Sequence, residues 1–124
     1  MRGDTIIVEE HHRKAAAEIA PVVLPKIEAA TGRYTITVAG ESGSGKSETA
    51  TAIGDALARK GIKSIIFQQD DYFVYPPKTN DKTRRQDIAW VGPQEVKIDL
   101  LDEHLQAFLD GAENIEKPLV IYED

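Results

Sequence analysis

The residues with the clearest chemistry are Gly40–Ser47, which read GESGSGKS. They match the pattern G-x-x-x-x-G-K-S/T at every fixed position. Glycines let the backbone take strained turns and approach phosphates closely, and the successive amide N–H groups of such a loop form a nest for anions. Lys46 is then expected to reach the β- and γ-phosphates of a nucleoside triphosphate, and the Ser47 hydroxyl to bind Mg²⁺. The motif therefore predicts a binding site for a nucleoside triphosphate with magnesium.

The predicted nucleotide contacts extend over the whole loop and one residue beyond it. Glu48 lies in the first turn of the helix expected to follow, where a carboxylate suits the positive end of the helix dipole. A chance glycine- and serine-rich turn is the alternative, but a β-branched segment precedes the motif and an amphipathic segment follows it, as a phosphate-binding loop requires. The residues predicted to bind the nucleotide are Gly40, Ser42, Gly43, Ser44, Gly45, Lys46, Ser47 and Glu48.

A second chemical feature is the acidic pair Asp70 and Asp71, within the segment QDDYF at 69–73. The pair directly follows a predicted strand, and ligands of open α/β sheets bind beyond the carboxyl ends of the strands. A carboxylate there would accept the proton of an attacking hydroxyl or hold magnesium through water. A turn or helix cap made by the two aspartates is the structural alternative, and spacing alone leaves both open.

The elements that must position these groups follow from the apolar pattern. Tyr34–Ala39 and Ile62–Gln68 are β-branched and apolar, which predicts two strands. Ser47–Lys60 carries apolar residues on one face and predicts a helix between them, ended by Gly61. A strand, a helix and a strand joined by short links favour a parallel βαβ unit. We therefore predict an α/β, P-loop NTPase fold with a parallel sheet flanked by helices, incomplete in this chain.

The remaining segments predict helices and a long loop. Asp4 is expected to cap a helix from Thr5 to about Ala20, broken at Pro21 and Pro25 and followed by a short second helix that ends near Gly32. Residues 70–93 predict a long loop because they combine prolines with many charges. An amphipathic helix from Gln94 or Asp99 to Leu109, stopped by Gly111, and a short strand Leu119–Tyr122 complete the expected order.

Composition limits the class of protein. The chain has 124 residues, room for one small core, with a net charge of −6 that offers no overall attraction to nucleic acid or anionic membranes. It has no cysteine, which excludes disulfides and thiolate metal sites. The apolar runs are too short for a membrane span, and the N-terminus lacks the apolar stretch of a secretory signal. A cytoplasmic protein is the default expectation.

Together the motifs resemble the uridine kinase and phosphoribulokinase group of small-molecule kinases. The resemblance rests on Gly40–Ser47, on the segment 69–73, and on Leu100–Leu105 followed by Gly111 and Lys117-Pro118. It covers about residues 34–124, so we divide the chain into an N-terminal helical segment, 1–33, and a kinase-like nucleotide-binding domain, 34–124. Since family members are longer, the chain reads as the N-terminal part of such a kinase.

The resemblance implies roles for individual residues. The aspartate after the glutamine of QDDYF is taken as the base near the acceptor hydroxyl, which makes Lys46 and Asp70 the expected catalytic residues and gives Asp70 a magnesium-linked role beside Ser47. The aromatic residues that follow would line the acceptor pocket. The residues expected to contact the acceptor are Asp71, Tyr72, Phe73 and Arg85.

One departure from the family pattern concerns the acceptor. Uridine kinases have an Asp-His-Pro segment before the leucine-rich helix, and its aspartate holds ribose hydroxyls. Here that place reads Val91-Gly92-Pro93, and Asp87 is the carboxylate that would substitute.

Three functions remain open at this point. The first is an ATP-dependent kinase acting on a hydroxyl of a nucleoside- or sugar-like molecule. The second is a nucleotide-binding module without turnover, or an inactive kinase fragment. The third is an NTPase that uses water as the acceptor. We expect another copy, a swapped partner or a further segment to cover the exposed edge of the small sheet.

Four further predictions concern polar and aromatic side chains. His11, His12 and His104 are expected to be exposed and not to bind metal, and Trp90 is expected to pack within the loop.

Overall fold

A computed structural model of the chain describes residues 1–41 and 43–121. Ser42 and the end of the predicted strand Leu119–Tyr122 therefore lie outside the described residues. Within the described part there are four α-helices and three short 3₁₀ helices. The α-helices are α1 (Glu10–Ala29), α2 (Lys46–Ala58), α3 (Pro77–Gln86) and α4 (Ile98–Leu109), and the 3₁₀ helices span Gln69–Tyr72, Ile88–Trp90 and Pro93–Glu95.

The chain divides into two compact units. Unit 1 contains Met1–Thr5 and the chain from Gln68 onward, and unit 2 contains Ile6–Phe67. The phosphate-binding loop thus belongs to unit 2, and the acidic pair belongs to unit 1. This division differs from the predicted boundary at residue 33, because α1 and α2 share one core.

The core of unit 2 lies between α1 and α2. Ala16 of α1 packs with Ala52, Ile53 and Leu57 of α2, and all four are at most 5% exposed. Alanines at the contact let the two helix backbones approach closely. The predicted helix Ser47–Lys60 is confirmed to within two residues, and Gly61 ends it with φ of +81°.

Helix α1 differs from its prediction at both ends. It begins at Glu10, not Thr5, and runs unbroken through Pro21 and Pro25 to Ala29. A proline inside a helix removes one hydrogen bond and crowds the preceding turn, at a cost of about 3 kcal/mol. The predicted break was wrong because the apolar contact of α1 with α2 outweighs this local cost. The two prolines lie on the exposed side of the helix.

The predicted strands Tyr34–Ala39 and Ile62–Gln68 are not strands in this structure. In the described residues the backbone hydrogen bonding is helical or irregular, apart from two isolated bridges, so the predicted parallel sheet is not observed. Several of the apolar side chains in these segments are exposed, including Ile36 at 39% and Ile65 at 61%. β-Branched composition favours a strand, but a strand forms only when a neighbour pairs with its backbone.

Unit 1 is more regular than predicted. The expected loop 70–93 contains α3 and two of the 3₁₀ helices. The helix α3 begins with Pro77 at its first position, where proline is preorganised for a helix, and an Arg85–Asp81 pair one turn apart supports it. The prediction failed because prolines and charges are typical of helix starts and helix surfaces as well as loops.

The last part of unit 1 contains the second confirmed helix. Helix α4 ends at Leu109 as predicted, and Gly111 takes φ of +95° directly after it. Of the predicted strand that begins at Leu119, the described residues form one parallel bridge, between Ile121 and Arg2. A second bridge, antiparallel, joins Phe73 to Val96.

Candidate phosphate-binding site and acidic segment

The phosphate-binding loop of unit 2 is a tight turn in which two glycines take a backbone conformation that side chains disfavour. Gly43 and Gly45 have φ of +78° and +86°, in the left-handed region that side chains avoid. The Ser44 amide donates to the Glu41 carbonyl at 3.1 Å and closes the turn. A Cβ on Gly40 would lie 2.7 Å from Ser44 Oγ, so the first residue of the motif contacts the fifth. The fixed glycines of the motif are thus explained by geometry.

Helix α2 begins where the loop ends. Gly45 is its N-cap, and its carbonyl accepts the first helical bond from Thr49 at 2.9 Å. The amides of Lys46, Ser47 and Glu48 occupy the first turn, where helix geometry leaves N–H groups without an intrahelical acceptor. Together with the helix dipole these amides make an anion-binding site.

Lys46 and Ser47 are the two side chains predicted to meet the nucleotide and its metal. The Lys46 ammonium donates to the Glu41 carbonyl at 2.7 Å, which places it over the loop. Ser47 is half-buried in the first turn of α2. In the described residues no group of three or more His, Cys, Asp or Glu side chains is arranged for a metal. A single protein donor, the Ser47 hydroxyl, fits Mg²⁺ held with a nucleotide, because Mg²⁺ takes few protein ligands and completes its shell with water and phosphate oxygens.

The structure adds His12 to this site, a residue that sequence reasoning placed on the surface. His12 is 9% exposed, and its Nε2 would lie 3.0 Å from a Cβ on Gly45. The prediction was wrong because His12 lies one helical turn before Ala16, on the face of α1 that packs against α2, and the sequence alone does not mark that face for burial. Its neighbour His11 is exposed as predicted.

The acidic pair of unit 1 is divided between two environments within the 3₁₀ helix Gln69–Tyr72. Asp71 is 4% exposed and forms ion pairs with the amino group of Met1 at 2.9 Å and with Lys117 at 2.6 Å. Burial works to raise the pKa of Asp71, but the hydrogen bonds from Lys117 and the terminal amino group outweigh it, so the pKa is lowered. Asp70 is half-buried in the same turn. Asp71 thus has structural contacts that the sequence did not indicate.

The two aromatic residues predicted to line the acceptor pocket also differ from each other. Tyr72 is completely buried, and its hydroxyl shares a hydrogen bond of 2.7 Å with His104 Nδ1. Burial, followed by the charge of Asp71, raises the pKa of Tyr72. Phe73 is half-buried beside it. The prediction that His104 is exposed was wrong, since the histidine is the partner of a residue 32 positions earlier.

A buried carboxylate, Glu95, organises the segment between α3 and α4. Its carboxylate accepts from Asn80 Nδ2 at 3.1 Å, from the Gly92 amide at 3.2 Å and from Arg84 Nε. The hydrogen bond from Arg84 is the main reason that the pKa of Glu95 falls from 4.5 to about 2. Trp90 donates to Asn80 at 2.7 Å, so the tryptophan packs within this segment as predicted.

Arg85, the last of the predicted acceptor contacts, lies on the exposed face of α3. Its guanidinium pairs with Asp81 at 3.0 Å. Asp87, the candidate replacement for a ribose-binding aspartate, accepts from the Ala89 amide at 3.1 Å and caps the 3₁₀ helix Ile88–Trp90. The described residues predicted to bind the nucleotide therefore lie together in unit 2. Residues 70–73, predicted as the base and as acceptor contacts, lie together in one turn of unit 1.

A groove of about 490 Å³ lies along the contact of α1 with α2. Its described lining residues come from the two helices and the turn after α2, among them Arg13, Leu24, Asp55 and Lys60. We assign the candidate site to the loop and not to this groove, because the loop has the amides and the ammonium that bind phosphate. No helix of the described residues has the length and apolarity needed to cross a bilayer.

Comparison with known proteins gives the family. The model of the phosphoribulokinase / uridine kinase family matches residues 35–124. The chain is also 31% identical over 96 residues to the bifunctional alpha-galactosidase/sucrose kinase AgaSK of Mediterraneibacter gnavus, an alignment that covers 69% of this chain. It spans about 10% of the length of that relative. No solved structure matches the chain significantly. The family match takes in both the phosphate-binding loop and the acidic segment, and the chain belongs to the phosphoribulokinase and uridine kinase family.

Proposed function

We propose that this chain is the nucleotide-binding part of an ATP-dependent kinase that transfers the γ-phosphoryl group to a hydroxyl of a sugar- or nucleoside-like acceptor. The observation that carries the proposal is the loop geometry, with Gly43 and Gly45 in the left-handed region and Lys46 at the first position of α2. Membership of a kinase family supports phosphoryl transfer over simple anion binding. A cytoplasmic pool of ATP is the expected source of the donor.

In this proposal the residues of unit 2 bind and stabilise the donor. The amides of the loop and of the first turn of α2 hold the phosphates. Lys46 moves from the Glu41 carbonyl to the β- and γ-phosphates, where its charge offsets the charge that develops during transfer. Ser47 would be the protein ligand for Mg²⁺, and the metal would neutralise negative charge on the phosphates of ATP, which carries the transferred group.

Asp70 is the proposed base in unit 1. It orients the acceptor hydroxyl and takes its proton, and Tyr72, Phe73 and Arg85 remain proposed contacts of the acceptor. Asp71 is better suited to hold the turn 69–72 in place, since both of its partners are cationic and it is buried. A fixed turn limits the positions that the Asp70 carboxylate samples, which matters because phosphoryl transfer depends mainly on positioning.

A sugar hydroxyl is the acceptor we favour. The Asp-His-Pro segment whose aspartate would hold a ribose reads Val91-Gly92-Pro93 in this chain. Asp87, the carboxylate that would substitute, already caps the 3₁₀ helix Ile88–Trp90. The relative that aligns with most of this chain has sucrose kinase in its name.

The second candidate is a nucleotide-binding module without transfer. The observation in its favour is that Asp71 and Tyr72 are buried in an ion pair and a hydrogen bond, so two predicted acceptor contacts already have partners within unit 1.

One assay separates the candidates. The protein is incubated with Mg-ATP and with sucrose, other sugars, nucleosides or sugar phosphates, and ADP release is followed. We expect ADP that depends on a sugar. Slow ADP release without an acceptor would indicate an NTPase, and nucleotide binding without ADP would indicate the module; either result contradicts the transferase.

Two variants test the assigned roles in the same assay. Lys46→Ala should lower acceptor-dependent turnover about a hundredfold or more, since it removes a charge aimed at the transferring group. Asp70→Asn should lower turnover by a factor in the range of about 10² to 10⁴, as loss of a general base does, with ATP binding retained. Lys63→Ala and Asp110→Asn, both exposed, are the matched controls. Unchanged turnover in either test variant would refute the role assigned to that residue.

A further inference from the structure

We infer that His12 is a positioning residue of the phosphate-binding loop, which holds Gly45 in the conformation that turns the loop amides toward phosphate. His12 precedes residues 35–124, so it lies outside the part of the chain that the family model matches. The inference rests on the proposed nucleotide binding. It concerns how the loop keeps its shape, which can be measured without nucleotide.

The first step is the tautomer of the buried ring. The backbone N–H of Glu9 donates to His12 Nδ1 at 2.9 Å, a bond that caps the start of α1. A ring that accepts at Nδ1 has its proton at Nε2. The Nε2–H edge of His12 is therefore fixed as a donor, and the bond to Glu9 fixes the plane of the ring.

The second step is where that edge lies. A Cβ built on Gly45 would be 3.0 Å from His12 Nε2 and 3.5 Å from Cδ2. The imidazole thus fills the place that a side chain at Gly45 would take. A glycine with φ of +86° can change to other backbone conformations at little cost, and a rigid ring against one side of it restricts that freedom.

The third step links the ring to the core of unit 2. Ala16 lies one helical turn after His12 on α1 and packs with Ala52 and Ile53 of α2. Since α2 also begins at the loop, the same helix contact holds the ring and the loop together. His12 therefore gives the N-terminal segment a defined part in the nucleotide site, and a loop held in its binding conformation has less entropy to lose when phosphate binds.

Two substitutions test the roles of Nδ1 and Nε2 of His12 separately. The amide oxygen of asparagine reaches the position of Nδ1, so His12→Asn keeps the cap of Glu9 and loses the contact with Gly45. The longer amide of glutamine reaches the position of Nε2, so His12→Gln keeps the contact with Gly45 and loses the cap. Glu18→Gln, at an exposed residue of the same helix, is the control.

The first measurement is amide hydrogen exchange of Gly45 and Lys46 without nucleotide. We expect faster exchange in His12→Asn and exchange close to that of the wild type in His12→Gln and in the Glu18→Gln control. Equal exchange in His12→Asn and the wild type would overturn the inference. Faster exchange in His12→Gln alone would also overturn it, because the histidine would then act only through the helix cap.

The second measurement is Mg-ATP affinity by calorimetry. His12→Asn should raise the dissociation constant about threefold to tenfold, because a loop freed from the ring has more conformational entropy to lose when phosphate binds, while His12→Gln should stay near the wild type. If His12→Asn fails to fold, the His12→Gln value decides, and a tenfold loss there overturns the inference. A wild-type chain that binds no Mg-ATP would refute the proposed function, and the exchange data would still decide the role of His12.

Discussion

At the scale of single residues, the structure depends on polar pairs that are distant in sequence. Glu95 is buried and accepts from Asn80, Arg84 and the Gly92 amide. Its pKa is lowered to about 2, chiefly by Arg84, so the ionised carboxylate is stabilised in the folded state. Such a group links folding to pH.

Acid should therefore destabilise the chain partly through Glu95. With an ordinary pKa of 4.5 and a folded pKa of about 2, the contribution of Glu95 is fully present above pH 4.5 and is lost as the pH falls toward 2. Glu95→Gln should lower stability at pH 7 and reduce the dependence of the unfolding midpoint on pH between those values. The measurement is urea unfolding followed by Trp90 fluorescence at a series of pH values.

The control for Glu95 is Asp81→Asn. Asp81 pairs with Arg85 on the surface, its side chain is 60% exposed, and such pairs contribute about 0.2 to 1 kcal/mol at most. An unfolding profile of Glu95→Gln that keeps the pH dependence of the wild type would contradict the assignment.

The turn of the phosphate-binding loop could be predicted from its residues because its geometry is local, and its contacts with a nucleotide stay a prediction. Eight consecutive positions contain the amides, the ammonium and the hydroxyl, and the glycines show where the backbone must turn. His12 and the Tyr72–His104 pair could not be predicted, because their partners are 33 and 32 positions away and no pattern in the sequence connects them.

At the scale of elements, α1 shows how tertiary contact overrides local preference. Two prolines predict a break, and the helix passes through both, since its apolar face packs on α2. Helices α2 and α4 were predictable because the helical spacing of their apolar residues and the glycine that follows each of them indicate the same segment. The strands were not, since composition indicates strand preference but cannot supply the neighbouring backbone that a strand pairs with.

Removing a proline from the interior of α1 should stabilise unit 2. Pro25 is exposed, so Pro25→Ala loses little packing and restores a helix hydrogen bond. We expect the free energy of unfolding to rise by about 1 to 3 kcal/mol, measured by chemical denaturation and circular dichroism. Pro77→Ala is the matched control, because Pro77 begins α3 and suits that position. A Pro25→Ala chain no more stable than the wild type would show that the prolines cost α1 nothing.

At the scale of the whole molecule, the two segments predicted as strands leave apolar side chains in water. Tyr34, Ile36, Ile65 and Ile66 of unit 2 are between 39% and 61% exposed. Exposed apolar surface of this kind favours association, and a second copy would supply backbone partners as well as apolar contact.

We therefore expect self-association that increases with concentration, measured by sedimentation velocity. Ile36→Lys with Ile65→Lys should shift the equilibrium toward the monomer. Ile88→Lys, at a residue of unit 1 that is 85% exposed, should leave the equilibrium unchanged and is the control. A wild-type chain that stays monomeric at every concentration would contradict this expectation.

The division into two units also has a consequence for how the chain is made on the ribosome. Unit 2 is a continuous stretch, Ile6–Phe67, whereas unit 1 joins Met1–Thr5 to the chain from Gln68 onward. Domains generally fold in the order in which they emerge, so the helices around the phosphate-binding loop have all their contacts before Asp71 has left the exit tunnel. Arg2 meets Ile121 only when almost the whole described chain has been translated. Met1–Thr5 are thus synthesised before unit 2 and find their partners after it, and until then the nascent chain has a formed phosphate-binding loop and an acidic segment that is still unfolded.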